Sequence, residues 1–382
     1  MSSLQPDSFP LLGGLVGDVD HFANHCWGRR PLWRAGGSTV PSLRLDDVET
    51  MLDSSSRIPS VRIVRDGAPM PAEEWTRSLR LGGAELDDVV DGPAAVDAFR
   101  HGATIVLQGL HRTTPAFVAY ARRLEDEICH PIQVNAYLTP PSSQGLAPHA
   151  DRHDVLVVQM SGSKQWCVDG LGDRTMEPAD VLYVPAGTRH VARSTASVSL
   201  HLTIGVHRRT LRHMVGDALR TAVRLDDPLP LGFRHAPRHE LEATISAAFG
   251  TAASHLQQVD VGDAVRDLQR TVGRSGPAGS VAGGLTAVDR AAAVDRASRI
   301  ALVAGCCIDG DEHGGSVTLD GWRLTVPAVA VAAIRRLGGG DPVEVGRLDD
   351  LDPVGQLVLA RRLVRERLAV CIDPVEPGAP AH

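Results

Sequence analysis

Between residues 131 and 206 the chain runs through five β-rich stretches with no long helix among them. They are IQVNAYL (132–138), DVLVVQM (154–160), KQWCVDG (164–170), DVLYVPAG (180–187) and SVSLHLTIGV (197–206), separated by clusters of Gly, Pro, Ser or Asp. Short strands packed this closely leave no room for the crossover helices of a parallel sheet. They predict a sandwich or a jelly-roll barrel.

The flanks read differently. DHFANHCWGRRPLWRAGG (20–37) predicts a short helix ending near Gly28 and then extended chain, and PSVRIVRDG (59–67) a strand and turn. Residues 92–128 predict helix, strand (104–109) and a second helix from about Pro115, since proline suits a first helical turn. From 207 to about 300 the period is helical, as in RRTLRHMVGDALRTAVRL (208–225) and HELEATISAAFGTAASHLQQV (239–259), with RSGPAGSVAGG (274–284) reading as a linker. The last 80 or so residues alternate short helices with strand-like pieces such as GSVTLDGWRLTV (315–326), an order that suits a small winged-helix module. The mixed α+β chain is thus expected to divide at 1–206, 207–300 and 301–382.

Composition narrows the function classes. Hydrophobic residues make up 43% and charged residues 22%, ordinary for a soluble globular protein. No apolar run reaches membrane-spanning length, and the N-terminus lacks the basic-then-apolar order of a secretory signal. The six cysteines form no CxxC pair and read as small buried hydrophobes of a reducing, cytoplasmic compartment. A formal charge of −7 argues against general nucleic-acid affinity. From residue 300 onward eight arginines face twelve Asp or Glu, the wrong balance for a DNA reader, so RRLVRER (361–367) is expected to be a solvated helix face.

Two segments carry chemistry. GLAPHADRHDVLVVQ places His149 and Asp151 two apart at the start of a strand, where alternation sends both to one side. DVLYVPAGTRHVARS supplies His190 after another strand and a turn. Two imidazoles and one carboxylate fill one face of an octahedral metal and leave three positions open, the arrangement of non-haem Fe(II) oxygenases. An HxD pair alone arises often by chance among 16 histidines, and His153 with Asp154 is a competing polar pair. Lys164 also stands out: it is the sole lysine among 39 basic residues. An arginine-rich genome that happened to keep one lysine would explain it, and so would a site that needs a compact ammonium rather than a planar fork.

The stretches NAYLTPPSSQGLAPHADRHDVLVVQMSGSKQWCV, DVLYVPAGTRHVA and SLHLTIG together resemble the JmjC-type cupin oxygenases of the ribosomal-oxygenase (cupin-4) family. HFANHCWGRRPLWRAGG is similar to that family's W-x-x-x-P-L segment. The resemblance is dense over 131–206 and looser over 15–130. It implies a double-stranded β-helix that binds Fe(II), 2-oxoglutarate and dioxygen and hydroxylates a substrate. Carried over position by position, it makes His149, Asp151 and His190 the metal ligands. Lys164 becomes the partner of the distal 2-oxoglutarate carboxylate, Asn135 and Thr203 co-substrate residues, and Tyr137 a residue lining the pocket near the substrate. It further implies a protein substrate, a ribosomal protein among the candidates, and a homodimer formed through the helical segment. Ala150, Arg152 and Gly205 depart from the family's usual residues and imply a wider, differently charged mouth. Two other readings stand beside this one: the same chemistry on a small-molecule or peptide natural product, and a non-catalytic cupin binding module. The intact triad with Lys164 disfavours the module.

Overall fold

The computed structural model describes residues 8–37, 39–54, 56–220, 229, 231, 233–271, 284–303, 305–319 and 322–372. The chain divides into two compact units, Met1–Val265 and Arg266–His382.

The first unit contains thirteen strands among its described residues: β1 (Leu32–Arg34), β2 (Val61–Arg65), β3 (Ala68–Pro69), β4 (Thr76–Leu81), β5 (Ala84–Val90), β6 (Thr104–Leu107), β7 (Ile132–Thr139), β8 (Asp154–Ser161), β9 (Lys164–Val168), β10 (Gly172–Met176), β11 (Val181–Val184), β12 (His190–Ser194) and β13 (Ser199–Val206). An eight-stranded antiparallel sheet runs in the order β1-β11-β8-β13-β7-β6-β2-β3, and a smaller sheet in the order β10-β9-β12. Bridges from Gln144 to Arg193 and from His149 to His190 bring the 144–149 segment alongside β12. The expected jelly-roll barrel is therefore present, and its last and first core strands are neighbours in the large sheet.

Strand alternation sorts the side chains into two cores. Leu200, Leu202 and Ile204 of β13 point outward and are buried with Phe117 and Leu124 of the helix Pro115–Ile128. That helix opens on proline and stops at Cys129, which is left-handed at φ 59°. The opposite set forms a separate apolar cluster inside the barrel, with Val155, Val157, Trp166, Met176 and Leu182 among its members. Burying each Leu or Val in this way stabilises the fold by roughly 1.5–3 kcal/mol.

The W-x-x-x-P-L segment acts as an anchor on the barrel's outside. The Trp27 ring stacks on Tyr183 at 6.2 Å and on His130 at 5.4 Å, and the Gly28 amide donates to the Tyr183 hydroxyl at 2.7 Å. Leu32 then pairs with Tyr183 as β1 joins β11. Trp27 follows a short π-helical turn, Phe22–Cys26, where the sequence predicts a short helix.

The hairpin β4–β5 has no counterpart in the sequence reading. Its signal is Gly82-Gly83 between two polar runs, both glycines at positive φ (55° and 84°), the conformation a two-residue hairpin turn requires. The free cysteines also differ from expectation, because Cys129 and Cys167 are exposed.

The second unit has its own core, built from Val294, Ile300, Val317, Ile334, Leu337 and Leu363. Three helices (Gly284–Ala293, Ala328–Leu337, Pro353–Arg365) pack with two three-stranded antiparallel sheets. Residues 274–283 of the expected linker lie outside the described residues. Among the described residues no helix is long and apolar enough to cross a membrane.

Candidate metal centre

His149, Asp151 and His190 converge, their donor atoms all within 4.8 Å of one another. The cause is a pair of backbone hydrogen bonds. The His149 amide donates to the His190 carbonyl at 3.1 Å, and the His190 amide donates back at 2.9 Å. Residues paired in this way project to one face, and the two rings sit 4.4 Å apart. The Gly187 amide donates to the Asp151 carbonyl at 2.8 Å and fixes the third residue. The Asp151 carboxylate lies 3.8 Å from His149 Nε2 and 3.6 Å from His190 Nε2.

Both imidazoles are oriented from behind. His149 Nδ1 bonds the Ala147 carbonyl at 2.8 Å, and His190 Nδ1 bonds the Thr188 carbonyl at 3.0 Å. A carbonyl can only accept, so each Nδ1 carries the proton and each Nε2 offers a lone pair to the common centre. Burial is the chief cause that holds His190 below its ordinary pKa, which favours the neutral, ligating form. Two neutral nitrogens and one carboxylate oxygen on one face suit a divalent transition metal and leave its other face open.

The triad opens on a cavity of about 370 Å³. Tyr137, Lys164, Thr203 and the three metal-site residues all line it. Lys164 lies at its inner end, 3% exposed, and its Nζ donates to Thr139 Oγ1 at 2.9 Å, which in turn accepts from Thr104 Oγ1 at 3.1 Å. Burial pushes the ammonium down to about 7. His201 lies next to it, and burial, then the neighbouring Lys164, hold it well below its ordinary value. The Tyr137 ring stacks on His201 at 5.0 Å. Burial raises the Tyr137 pKa, and its hydroxyl is within reach of the Thr203 and Asn135 side chains. Asn135 is tied down elsewhere, because its Oδ1 accepts from the Gly109 amide at 2.9 Å.

Three groups in the cavity wall escape the sequence reading: Arg62, Trp166 and His201. Each carries a buried nitrogen with no hydrogen-bond partner, Arg62 Nε, Trp166 Nε1 and His201 Nδ1. The one available signal was alternation. His201 shares its strand face with Thr203, and Trp166 shares one with Lys164.

The competing pair separates. Asp154 is fully buried and accepts from the Tyr183 hydroxyl at 2.6 Å and the Ala186 amide at 2.8 Å, with Arg208 at 3.1 Å. It is a structural ion pair of the barrel wall. His153 instead stacks on His207 at 4.7 Å. Its ring occupies the space over Gly205, where an added Cβ would come within 2.8 Å of it. The room that a glycine leaves at this position is therefore filled by an imidazole.

A cation at the closed end and three donors on one metal face fit a chelating dicarboxylate. The JmjC domain family matches residues 113–174 and 168–214. The chain is 31% identical over 156 residues to the bifunctional lysine-specific demethylase and histidyl-hydroxylase NO66 of Branchiostoma floridae, covering 39% of this chain and 26% of that protein. It is 38% identical over 100 residues to ribosomal oxygenase 1 of Homo sapiens, covering 20% of this chain and 16% of that protein. The chain thus spans about a quarter or less of the length of these two curated relatives. Among solved structures it is similar to the Escherichia coli ribosomal oxygenase YcfD in complex with cobalt and succinic acid, at 14% identity and TM-score 0.49 over 94% of this chain and 99% of that chain. The matched residues 113–214 include the strands of the barrel and all three residues of the His-Asp-His centre, so it is over this barrel that the chain is similar to the JmjC domain family.

Proposed function

We propose that the chain is an Fe(II)- and 2-oxoglutarate-dependent oxygenase that hydroxylates a protein side chain. One observation carries this reading: the His149–Asp151–His190 face opens on a cavity whose far end holds the chain's sole lysine, buried and, among the described residues, with no carboxylate in an ion pair with it. The metal, when bound, supplies dioxygen activation coupled to oxidative decarboxylation of the 2-oxo acid.

The protein's own groups do the rest. His149, Asp151 and His190 hold the metal, their tautomers set by the Ala147 and Thr188 carbonyls. Lys164 receives the distal carboxylate of the co-substrate, and the charge-assisted bond offsets the cost of burying both ions. Thr203 and Tyr137 present hydroxyls along the same wall, with Asn135 supporting Tyr137 from the neighbouring position. Val155, Val157, Val184 and Trp166 keep the space between them dry. No side chain is required as a general base.

A protein substrate is supported by the names of the relatives, histidyl-hydroxylase and ribosomal oxygenase. The same site chemistry would also serve a small-molecule acid. We assign residues 1–206 as the catalytic domain, 207–300 as a dimerisation segment and 301–382 as a winged-helix-like module that faces protein rather than DNA. Dimerisation is supported by the helices Leu211–Arg220 and Arg238–Gln258, which bury no residue within the chain and expose Leu211, Val215, Ile245 and Phe249. The absence of a membrane-spanning helix among the described residues is compatible with a cytoplasmic location.

The deciding experiment supplies isotope-labelled dioxygen, Fe(II) and 2-oxoglutarate in cell extract. It reads succinate and the gain of one labelled oxygen atom on proteins or metabolites by mass spectrometry. His149→Ala is expected to abolish both signals. Succinate formation that persists in this variant would overturn the metal assignment.

A further inference from the structure

Arg62 enters the cavity from β2 and is used neither by the metal face nor by Lys164. The strand register sets its depth. Arg62 lies opposite Val106 of β6, Val106 opposite Tyr137 of β7, and Tyr137 opposite His201 of β13. The Lys164 ammonium instead bonds Thr139, two residues further along β7, in the row that also holds Thr104. Two residues of strand span about 7 Å. The cavity therefore carries cations at two depths, Lys164 at the closed end and Arg62 nearer the mouth.

Arg62 lacks a counter-charge. Its Nε is buried without a hydrogen-bond partner, and among the described residues its side chain makes no ion pair. A guanidinium stays charged at any accessible pH and presents a rigid fork of donors, so leaving it unpaired in a shielded wall is a standing cost. Among the described residues Asp151 is the one carboxylate that lines the cavity, and it faces the two ligating imidazoles. A divalent metal and a dianionic co-substrate cancel each other. Asp151 then balances one of the two side-chain cations, and the other is left for a further anion.

We propose that Arg62 is a specificity-determining residue that receives a carboxylate of the prime substrate, while Lys164 receives the co-substrate. The inference rests on the oxygenase reading above. It selects a substrate bearing an acidic group near the oxidised carbon, either an Asp or Glu side chain of a protein or a free carboxylic acid.

The test is calorimetric and uses the full chain loaded with Mn(II). The first titration is with 2-oxoglutarate. The second, on the protein saturated with both, is with N-acetyl-aspartate, with an end-blocked peptide carrying one Asp, and with the Asn counterpart of each. The wild type is expected to bind an acid probe and not its amide, and whether the free acid or the peptide binds identifies the source. Arg62→Gln is expected to weaken the acid probe about tenfold or more while changing the first titration less than about threefold; Arg62→Lys is expected to keep part of the affinity. Arg62→Met serves as a second neutral variant should the glutamine form fail to fold. Equal or absent binding of acid and amide by the wild type overturns the proposal, and so does a loss of about tenfold in the first titration. Failure of the oxygenase reading looks different, because Mn(II)-loaded wild type would then not bind 2-oxoglutarate at all.

Discussion

Replacing Lys164 by methionine separates what the ammonium does for the fold from what it does for the ligand. Burial lowers its pKa from 10.5 to about 7. That is about 3.5 units, and at 1.36 kcal/mol per unit it caps the cost of a charged ammonium in the empty barrel at about 5 kcal/mol. The sign follows from proton counting. The unfolded chain keeps the proton up to its ordinary value while the folded chain releases it near 7, so stability rises with pH across the window between them and the full cost is carried below it. Methionine has a similar length and no charge. Lys164→Met is therefore expected to be more stable than wild type by up to about 5 kcal/mol at pH 6 and by about 2 kcal/mol at pH 9, less roughly 1 kcal/mol for the lost bond to Thr139. Urea unfolding of the metal-free protein at the two pH values measures this gap. The same variant is expected to lose the thermal shift that 2-oxoglutarate produces on Mn(II)-loaded wild type. A gap that does not narrow with pH, or an undiminished shift in the variant, would refute the reasoning. Stability given up at an empty site for affinity in a filled one is a recurring trade-off.

Two further substitutions test the barrel around the centre. Gly205→Ser pushes a Cβ against the His153 ring, so it is expected to cost about 1–3 kcal/mol, and adding His153→Ala should recover most of that in a double-mutant cycle. Asp154→Asn leaves the Arg208 guanidinium without its buried partner and is expected to lower unfolding stability by about 3 kcal/mol or more, with Mn(II) affinity at the triad little changed; a specific loss of metal binding would instead return Asp154 to the centre.

The barrel was legible in the sequence because its signal is local. Short strands, their alternation and the turn residues between them are properties of neighbouring positions, and each of the five runs quoted from 131–206 became a strand. The same locality put His149 and Asp151 on one side. Lys164 stood out by composition, and its burial at the closed end agrees with that. The surroundings of Gly205 were harder to read. Gly205 implied open space, yet the ring that fills it comes from His153, across the pairing of β13 with β8. The hairpin β4–β5 escaped notice because its strands are polar and mostly exposed, so only the Gly-Gly turn marks them.

Which carboxylate serves the centre was likewise a tertiary decision. Asp151 and Asp154 are three residues apart, each following a histidine within two positions. Arg208, 54 positions away, and Tyr183, 29 positions away, claim the second and leave the first to the imidazoles. Arg62 entered the cavity for the same reason, since β2 pairs with β6 and the turn that follows it bridges Leu146 through Gly67. Alternation along a strand tells which residues share a face. Only pairing between strands far apart in the chain decides which faces meet, and a charge becomes a ligand, a structural partner or an empty hook according to what it meets there.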